Sequence, residues 1–483
     1  MAKKQFLIAT IFGMASVAAL GQDGGKAILQ KAVVALGSDS VKSIQYSGAG
    51  KAGALGQSHL PSTAWPTVIV KSYSRTIDYT SQSSREEMVR TLEEPPAKGG
   101  GAPFQGEQKQ VNLVSGLYAW NQPGDAPQAA PAALEERQLQ IVSTPQGFLK
   151  QALISNTTSK KVKGGTEVSY SLLGKFKVSG TINNQGIVEK VETWLPSPVL
   201  GDMAMETTFA DYKDYGGVKF PGHIVQNQGG HMVLDLNVTS VTPNVPNALL
   251  VAPDAVKAAK VPPVVAESQK LADGVWFIGG GSHNSVVLEG KDFITVVEAP
   301  LSEERSLAVI AEAKKLAPGK PIRYLVNTHH HFDHSSGIRT YVAEGATVIT
   351  SEVNKDYYEQ AWKAPRMLVP DNLSRNPKKA TFVTVKDSYT LDDGNRKLEL
   401  HLTEGDNHNG AILFGYLPKE KILIEADDFT PPPPNGTIVP LAKTFGNGLY
   451  DNIQKLKLDV QTIAPLHGRV VPFAEMPKAL GKS

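Results

Sequence analysis

The sequence predicts an α+β protein of two domains, a mainly antiparallel β domain followed by a domain in which strands and helices alternate. Three observations predict it. At 483 residues the chain exceeds what one hydrophobic core ordinarily organises. Its first half alternates apolar and polar residues in short runs broken by Gly- and Asn-containing turns, whereas its second half mixes short apolar runs with helical periods. Hydrophobic residues make up 41% and charged residues 20%, which excludes a mainly disordered or fibrous chain.

Lys3 and Lys4, an apolar run over 6–20 and the small residues Ala18, Ala19 and Gly21 read as a secretory leader, cleaved near Gly21. The mature protein is therefore expected to be periplasmic or secreted. The run is shorter than the roughly 20 apolar residues a membrane helix needs, and no later stretch supplies a transmembrane segment. The formal charge of +2 falls to zero once Lys3 and Lys4 leave, which argues against nucleic-acid binding by bulk electrostatics. With no Cys, neither disulfides nor thiolate ligands are available, so any metal must be held by His and carboxylates.

The predicted elements start with a helix at 26–36, followed by segments rich in Val, Thr and Tyr that read as antiparallel strands. Residues 95–106 read as a surface loop, and 145–153 as a helix capped by Thr144 with Pro145 at its first position. Strands at 168–173, 176–182 and 187–194 are joined by Gly174 and by Asn183-Asn184-Gln185-Gly186, and further strands occupy 207–212 and 232–238. These spaced strands and Tyr215-Gly216-Gly217-Val218-Lys219-Phe220-Pro221 resemble the curved β-sheet domains of the lipoprotein-carrier type. The resemblance implies a sheet that binds a lipid or hydrophobic substrate, with a packing or docking role as the alternative. The domain bounds are then 1–21 for the leader, 22–242 for the β domain, 243–266 for a Pro- and Ala-rich linker and 267–483 for the catalytic domain.

In the second domain, strands are predicted at 275–278, 285–288 and 294–297, and a helix at 303–316 stopped by Pro318-Gly319. A buried strand at 323–326 runs directly into Thr328, so the histidine-rich segment 328–334 sits at a strand end. Strand and helix alternation continues at 347–350, 398–402, 411–417, 422–425 and 449–458.

Chemistry concentrates in Thr328-His329-His330-His331-Phe332-Asp333-His334. His329 and His331 stand two apart, so on an extended or turning backbone their rings share one side, and Asp333 and His334 begin the next turn facing a second ion. Imidazoles and a carboxylate suit zinc, and also iron or manganese. Later loops supply further donors: His408 in Gly405-Asp406-Asn407-His408-Asn409-Gly410, Asp427 after the strand 422–425, and His467 in Pro465-Leu466-His467-Gly468.

The HxHxDH hexad, His408, Asp427 and His467-Gly468 occur in the order of the metallo-β-lactamase superfamily, which residues 271–480 resemble. The resemblance implies an αββα sandwich and two divalent metal ions, zinc first and iron or manganese as alternatives. His329, His331 and His408 would hold one ion, Asp333, His334 and His467 the other, and Asp427 would bridge both. Two departures stand out. Ala426-Asp427-Asp428 occupies the usual Gly-Asp position, so Asp428 competes for the bridge; counted from the strand, Asp427 is in register and Asp428 is expected to face solvent or the loop. Ser335-Ser336-Gly337 replaces a small residue and two glycines, which alters the loop rather than ligation.

The implied reaction is hydrolysis by a metal-bridging hydroxide, with Asp333 as the catalytic residue that helps hold it, on an ester, lactone, thioester or lactam. The partner is a small molecule, uncharged or amphipathic, because Trp362, Pro365, Met367 and Leu368 in the loop 357–377 and the run 431–434 are expected to form apolar walls. Oligomeric state is not legible. Two rival readings remain open: iron-dependent sulfur oxidation within the same superfamily, and non-catalytic binding of lipid or peptide. Glu298 is read as orienting a histidine or as a solvated strand end, His283 as lining the mouth or as a loop histidine, and Arg469 as an anion contact or a surface residue. His330 and His401 are read as structural, and His223 and His231 belong to the first domain.

Overall fold

The computed structural model describes residues 19–20, 22–95, 97–101, 106–246, 248–432 and 446–482. The leader expected at 1–21 lies outside them except for Ala19 and Leu20, as do Pro433 and Pro434 of the expected wall.

The first part of the chain forms one fourteen-stranded antiparallel sheet, from Ala19–Leu20 at one edge to Gln128–Ala129 at the other. Alternation decides its buried face. In Gly201–Ala210, Met203, Met205, Thr207 and Phe209 are buried and the residues between them are not. The helices Gln22–Leu36, Leu134–Val142 and Pro145–Leu153 cover that face with Leu29, Leu36, Leu139, Phe148 and Leu149. The third of these starts where its sequence predicts: the Thr144 hydroxyl accepts from the Gly147 amide at 3.2 Å, and Pro145 occupies the first position. The three predicted hairpin strands form at Gly165–Leu172, Phe176–Asn183 and Val188–Ser197. A cavity of about 180 Å³ beneath the helices is lined both by charged and amide side chains, such as Arg75, Glu86 and Gln140, and by apolar ones, such as Met88, Phe209 and Ile224. Within 243–266, the short helix Asp254–Ala258 packs Val256 against Val111 and Trp120 of this sheet.

The second part contains a seven-stranded sheet, Glu267–Ala272 to Phe382–Val385, and a six-stranded sheet, Ser388–Asp392 to Val471–Pro472. Their faces are again set by alternation. In Ser285–Glu289, Val286 and Leu288 point to the second sheet and Val287 points away; in Ile422–Glu425, Ile422 and Ile424 point inward and Leu423 outward. The inner core thus joins Val286, Leu288 and Val326 to Leu398, Leu400 and Ile424. Outside, Val287 and Val296 meet Val309, Ile310 and Tyr341 of the helices Glu303–Leu316 and Ile338–Glu344, and Leu423 meets Leu449 and Ile453 of Gly446–Leu456. Helices therefore cover both outer faces, giving the αββα sandwich, and the apolar runs of its central strands reflect burial on two sides.

The two parts are clamped together. The Arg366 guanidinium donates to the carbonyls of Ser197, Pro198 and Val199 at 3.0, 2.9 and 2.8 Å, and the Asp202 carboxylate accepts from the amides of Met367 and Leu368. Burial pulls the Arg366 pKa down to about 10. This clamp redirects the loop 357–377: Leu368 packs on the first core and Met367 is exposed, so neither walls the histidine cluster. Among the described residues, no helix is long and apolar enough to cross a membrane.

Arg366→Ala leaves three carbonyl acceptors without their shared donor and should lower stability by about 2–3 kcal/mol. Denaturant titration checks this, with the exposed Lys363→Ala as a control expected to change little.

Candidate metal centre

The site lies at one rim of the sandwich because the strands that feed it end there. The parallel strands Ile294–Val297, Ile322–Val326 and Thr347–Ser351 deliver Glu298, the hexad and a supporting polar layer; Ile422–Glu425 and its parallel neighbour Thr462–Pro465 deliver Asp427 and His467. His408 comes from the loop between Lys397–Leu402 and Leu413–Leu417.

All seven residues singled out in the sequence meet at this rim. His329, His331 and His408 form one cluster and His283, Asp333, His334 and His467 a second, each with its donor atoms within 4.8 Å of one another. Asp427 stands between them: its Oδ2 lies 2.9 Å from His334 Nε2 and 3.5 Å from both His329 Nε2 and His408 Nε2, and its Oδ1 lies 3.1 Å from His467 Nε2. His329 and His408 bring their Nε2 atoms to 3.3 Å. With metal–nitrogen bonds of about 2.0–2.1 Å, the edge of a tetrahedral ligand shell is roughly 3.3 Å, so this spacing fits a shared cation. His331 fits it too. Its Nε2 donates to the Ser58 carbonyl at 2.9 Å, which leaves Nδ1 buried with no hydrogen-bond partner beside the other two histidines.

Burial and charge set the protonation states. Burial, then neighbouring imidazoles, hold His329 and His331 well below the usual histidine range, so both are neutral donors. Burial would also neutralise His334 and His408, but Asp427 outweighs it and raises both. Burial likewise opposes the charge on Asp427, yet His334 and His408 hold its carboxyl well below the ordinary value. The His334 and His408 imidazoles, held toward their protonated forms, thus face the buried Asp427 carboxylate, and a bound cation would take over that charge.

A polar layer fixes the ligands from behind. Glu298, fully buried, accepts from His334 Nδ1 at 3.1 Å and from the Thr328 hydroxyl, which settles its role as an orienting group rather than a solvated strand end. Its φ of 78° is unusual for a residue with a side chain, and these bonds hold it there. Asn327 donates to Glu298 Oε1 at 3.1 Å and to the His329 carbonyl at 2.7 Å, and accepts from Tyr358 at 2.7 Å and Thr350 at 3.2 Å.

Other residues fall less evenly. His283 is part of the site: Nε2 is 3.3 Å from Asp333 Oδ2, and its ring packs edge-on against His467. His330 points away from the clusters and ties Ser58 to Asn409 at 3.0 and 3.2 Å. His401 stacks on Phe414, and Arg469 is engaged by Glu475 at 2.8 Å. Asp428 departs from expectation. It faces neither solvent nor an open loop but is buried beside Asp406 and Glu425; burial, then these carboxylates, push its carboxyl well above the ordinary range, so it stays a neutral acid. Sequence reasoning missed Gln57 and Ser58, which reach the hexad from the first sheet.

Residues 278–440 match the family model described as the metallo-beta-lactamase superfamily. A stretch of 76 residues, 16% of this chain, is 33% identical to a linear primary-alkylsulfatase from Pseudomonas sp., of which the chain spans only 11%. Similar solved structures include a metallo-beta-lactamase from Pontibacter korlensis, at 19% identity over 45% of this chain and 98% of that one with a TM-score of 0.33. The flavodiiron protein from Giardia intestinalis is similar at 18% identity over 46% of this chain and 59% of that one, with a TM-score of 0.36. The matched segment contains the histidine hexad, His408 and Asp427.

Asp427→Asn should reduce metal content more than Asp428→Asn, because it removes charge placed between two cations, whereas Asp428 is already neutral. Elemental analysis per chain compares the two; equal losses would show that Asp428 shares the bridge.

Proposed function

We propose, from the match of residues 278–440 to the metallo-beta-lactamase superfamily model, that this chain is an exported dinuclear metallohydrolase. The observation that carries the reading is the Asp427 carboxylate set between two clusters of imidazole donors. Two divalent cations, zinc first, would supply Lewis acidity toward the scissile group and a water made nucleophilic at neutral pH. His329, His331 through Nδ1 and His408 would hold one; Asp333, His334 and His467 the other; Asp427 would neutralise charge on both. Asp333, whose carboxylate is partly exposed, would also help hold the attacking water.

The substrate we favour is a small, uncharged or amphipathic ester, lactone, thioester or lactam. A second reading, an alkyl sulfate ester, is favoured by the short stretch of identity to a linear primary-alkylsulfatase. Purified protein should contain two divalent ions per chain, lose turnover on chelation and regain it with zinc. A panel of the four carbonyl substrates and an alkyl sulfate selects the bond, and turnover that survives complete metal removal would end the reading. Iron together with oxygen uptake on thiols would instead support the sulfur-oxidising alternative.

Export rests on the leader pattern at 1–21. N-terminal sequencing of extracytoplasmic material should begin near Gln22; an intact Met1 species retained in the cytoplasm contradicts it.

A further inference from the structure

Between the strands Ser43–Gly53 and Thr67–Asp78, residues 54–60 leave the first sheet and cross the metal centre. Four consecutive residues bond to the ligand loops. The Gly56 carbonyl accepts from the Phe332 amide at 3.4 Å, Gln57 Nε2 donates to Asp333 Oδ1 at 2.8 Å, the Ser58 carbonyl accepts from His331 Nε2 at 2.9 Å, and the His59 carbonyl accepts from the Gly410 amide at 2.8 Å. The strap therefore touches both the hexad and the His408 loop. It is itself held: the Gln57 carbonyl accepts from Gly100 at 2.9 Å, and Trp65 sets its ring edge against Phe332. Gly56 allows the close approach, because a Cβ there would lie 2.2 Å from the Phe332 ring.

Asp333 needs such support more than the other proposed ligands. Its side chain is 34% exposed, against 1% or less for His329, His334 and His408, so packing does not fix its rotamer. An ionised carboxylate only accepts, so the 2.8 Å contact requires the amide nitrogen of Gln57 to face Oδ1. That leaves Oδ2 toward His283 and His334.

We propose that Gln57 is a positioning residue for the metal centre, donated by the N-terminal sheet, which fixes the Asp333 carboxylate so that Oδ2 faces the second cluster. The inference rests on the dinuclear reading above. A lost outer partner typically weakens a metal by about 10–100-fold, and the weakening should fall on one ion alone.

The test is equilibrium competition with a chromophoric chelator on the full chain, using zinc as the probe, alongside thermal melting of the metal-free protein and kcat and KM. Gln57→Leu should keep the tighter ion at wild-type affinity, weaken the other about 10–100-fold and leave the metal-free melting point unchanged. Gly56→Ala, which drives the strap off Phe332, should weaken both ions because it also moves the Ser58 carbonyl. If Gln57→Leu does not fold, Gln57→Asn, whose shorter amide falls short of Oδ1, takes its place. Two zinc ions bound with wild-type affinities in Gln57→Leu would overturn the positioning role, as would equal weakening of both with a lowered metal-free melting point. Wild-type protein that binds fewer than two zinc ions would overturn the dinuclear reading and this inference together, and that result is seen before any substitution.

Discussion

The Asp427 carboxylate is the group on which the rest of the site depends. An ionised carboxylate taken out of water costs several kcal/mol unless positive charge faces it. Here His334 and His408 supply that charge, and with His329 and His467 they reach it from three loops, so the sandwich must bring three separate strand ends to one rim. The central strands are mainly apolar, and the polar groups of the site come just past their ends. Glu298, Thr328 and Asp427 each fit this pattern within a residue or two of a strand terminus. Glu298 and Asn327 then lock the histidines from behind, so that charge and geometry are set by the same network.

How much of this was legible varies with the range of the interaction that decides it. The helix Glu303–Leu316 and the strands Ile294–Val297 and Ile422–Glu425 were readable because the helical period, the short apolar runs and the Pro318-Gly319 stop lie within or just beside them. The strand Ser43–Gly53 was not, because Gly48 and Gly50 dilute its pattern for a tertiary reason: a Cβ on either would meet a carbonyl of the neighbouring strand at 2.3 or 1.9 Å. In the site, the candidate donors could be named because each sits in a recognisable loop after a predicted strand. Gln57 could not, since 276 residues separate it from Asp333 and no motif marks it. Nor could the burial of Asp428, which depends on Asp406 and Glu425 arriving from other loops.

The two donor clusters differ in exposure, and this gives the centre a direction. His329, His331 and His408 are all buried, while the second cluster mixes buried His283 and His334 with partly exposed Asp333 and His467. A catalytic centre requires an open position, and only the second cluster meets solvent. Among the described donors, Asp333 and His467 are thus the ones most open to solvent.

The N-terminal sheet meets the site on this exposed side. Its strap runs along the Asp333 side of the opening, where Gln57 contacts the very ligand that solvent reaches. Its opposite attachment, the Arg366 clamp, ties the two parts through carbonyls at 197–199 and sits on a different segment from the ligands. The first attachment reaches Asp333 through Gln57 and His331 through the Ser58 carbonyl, and the second resists separation of the parts. A change in the strap is therefore transmitted to both donor clusters, to one through the Gln57 amide and to the other through the Ser58 carbonyl.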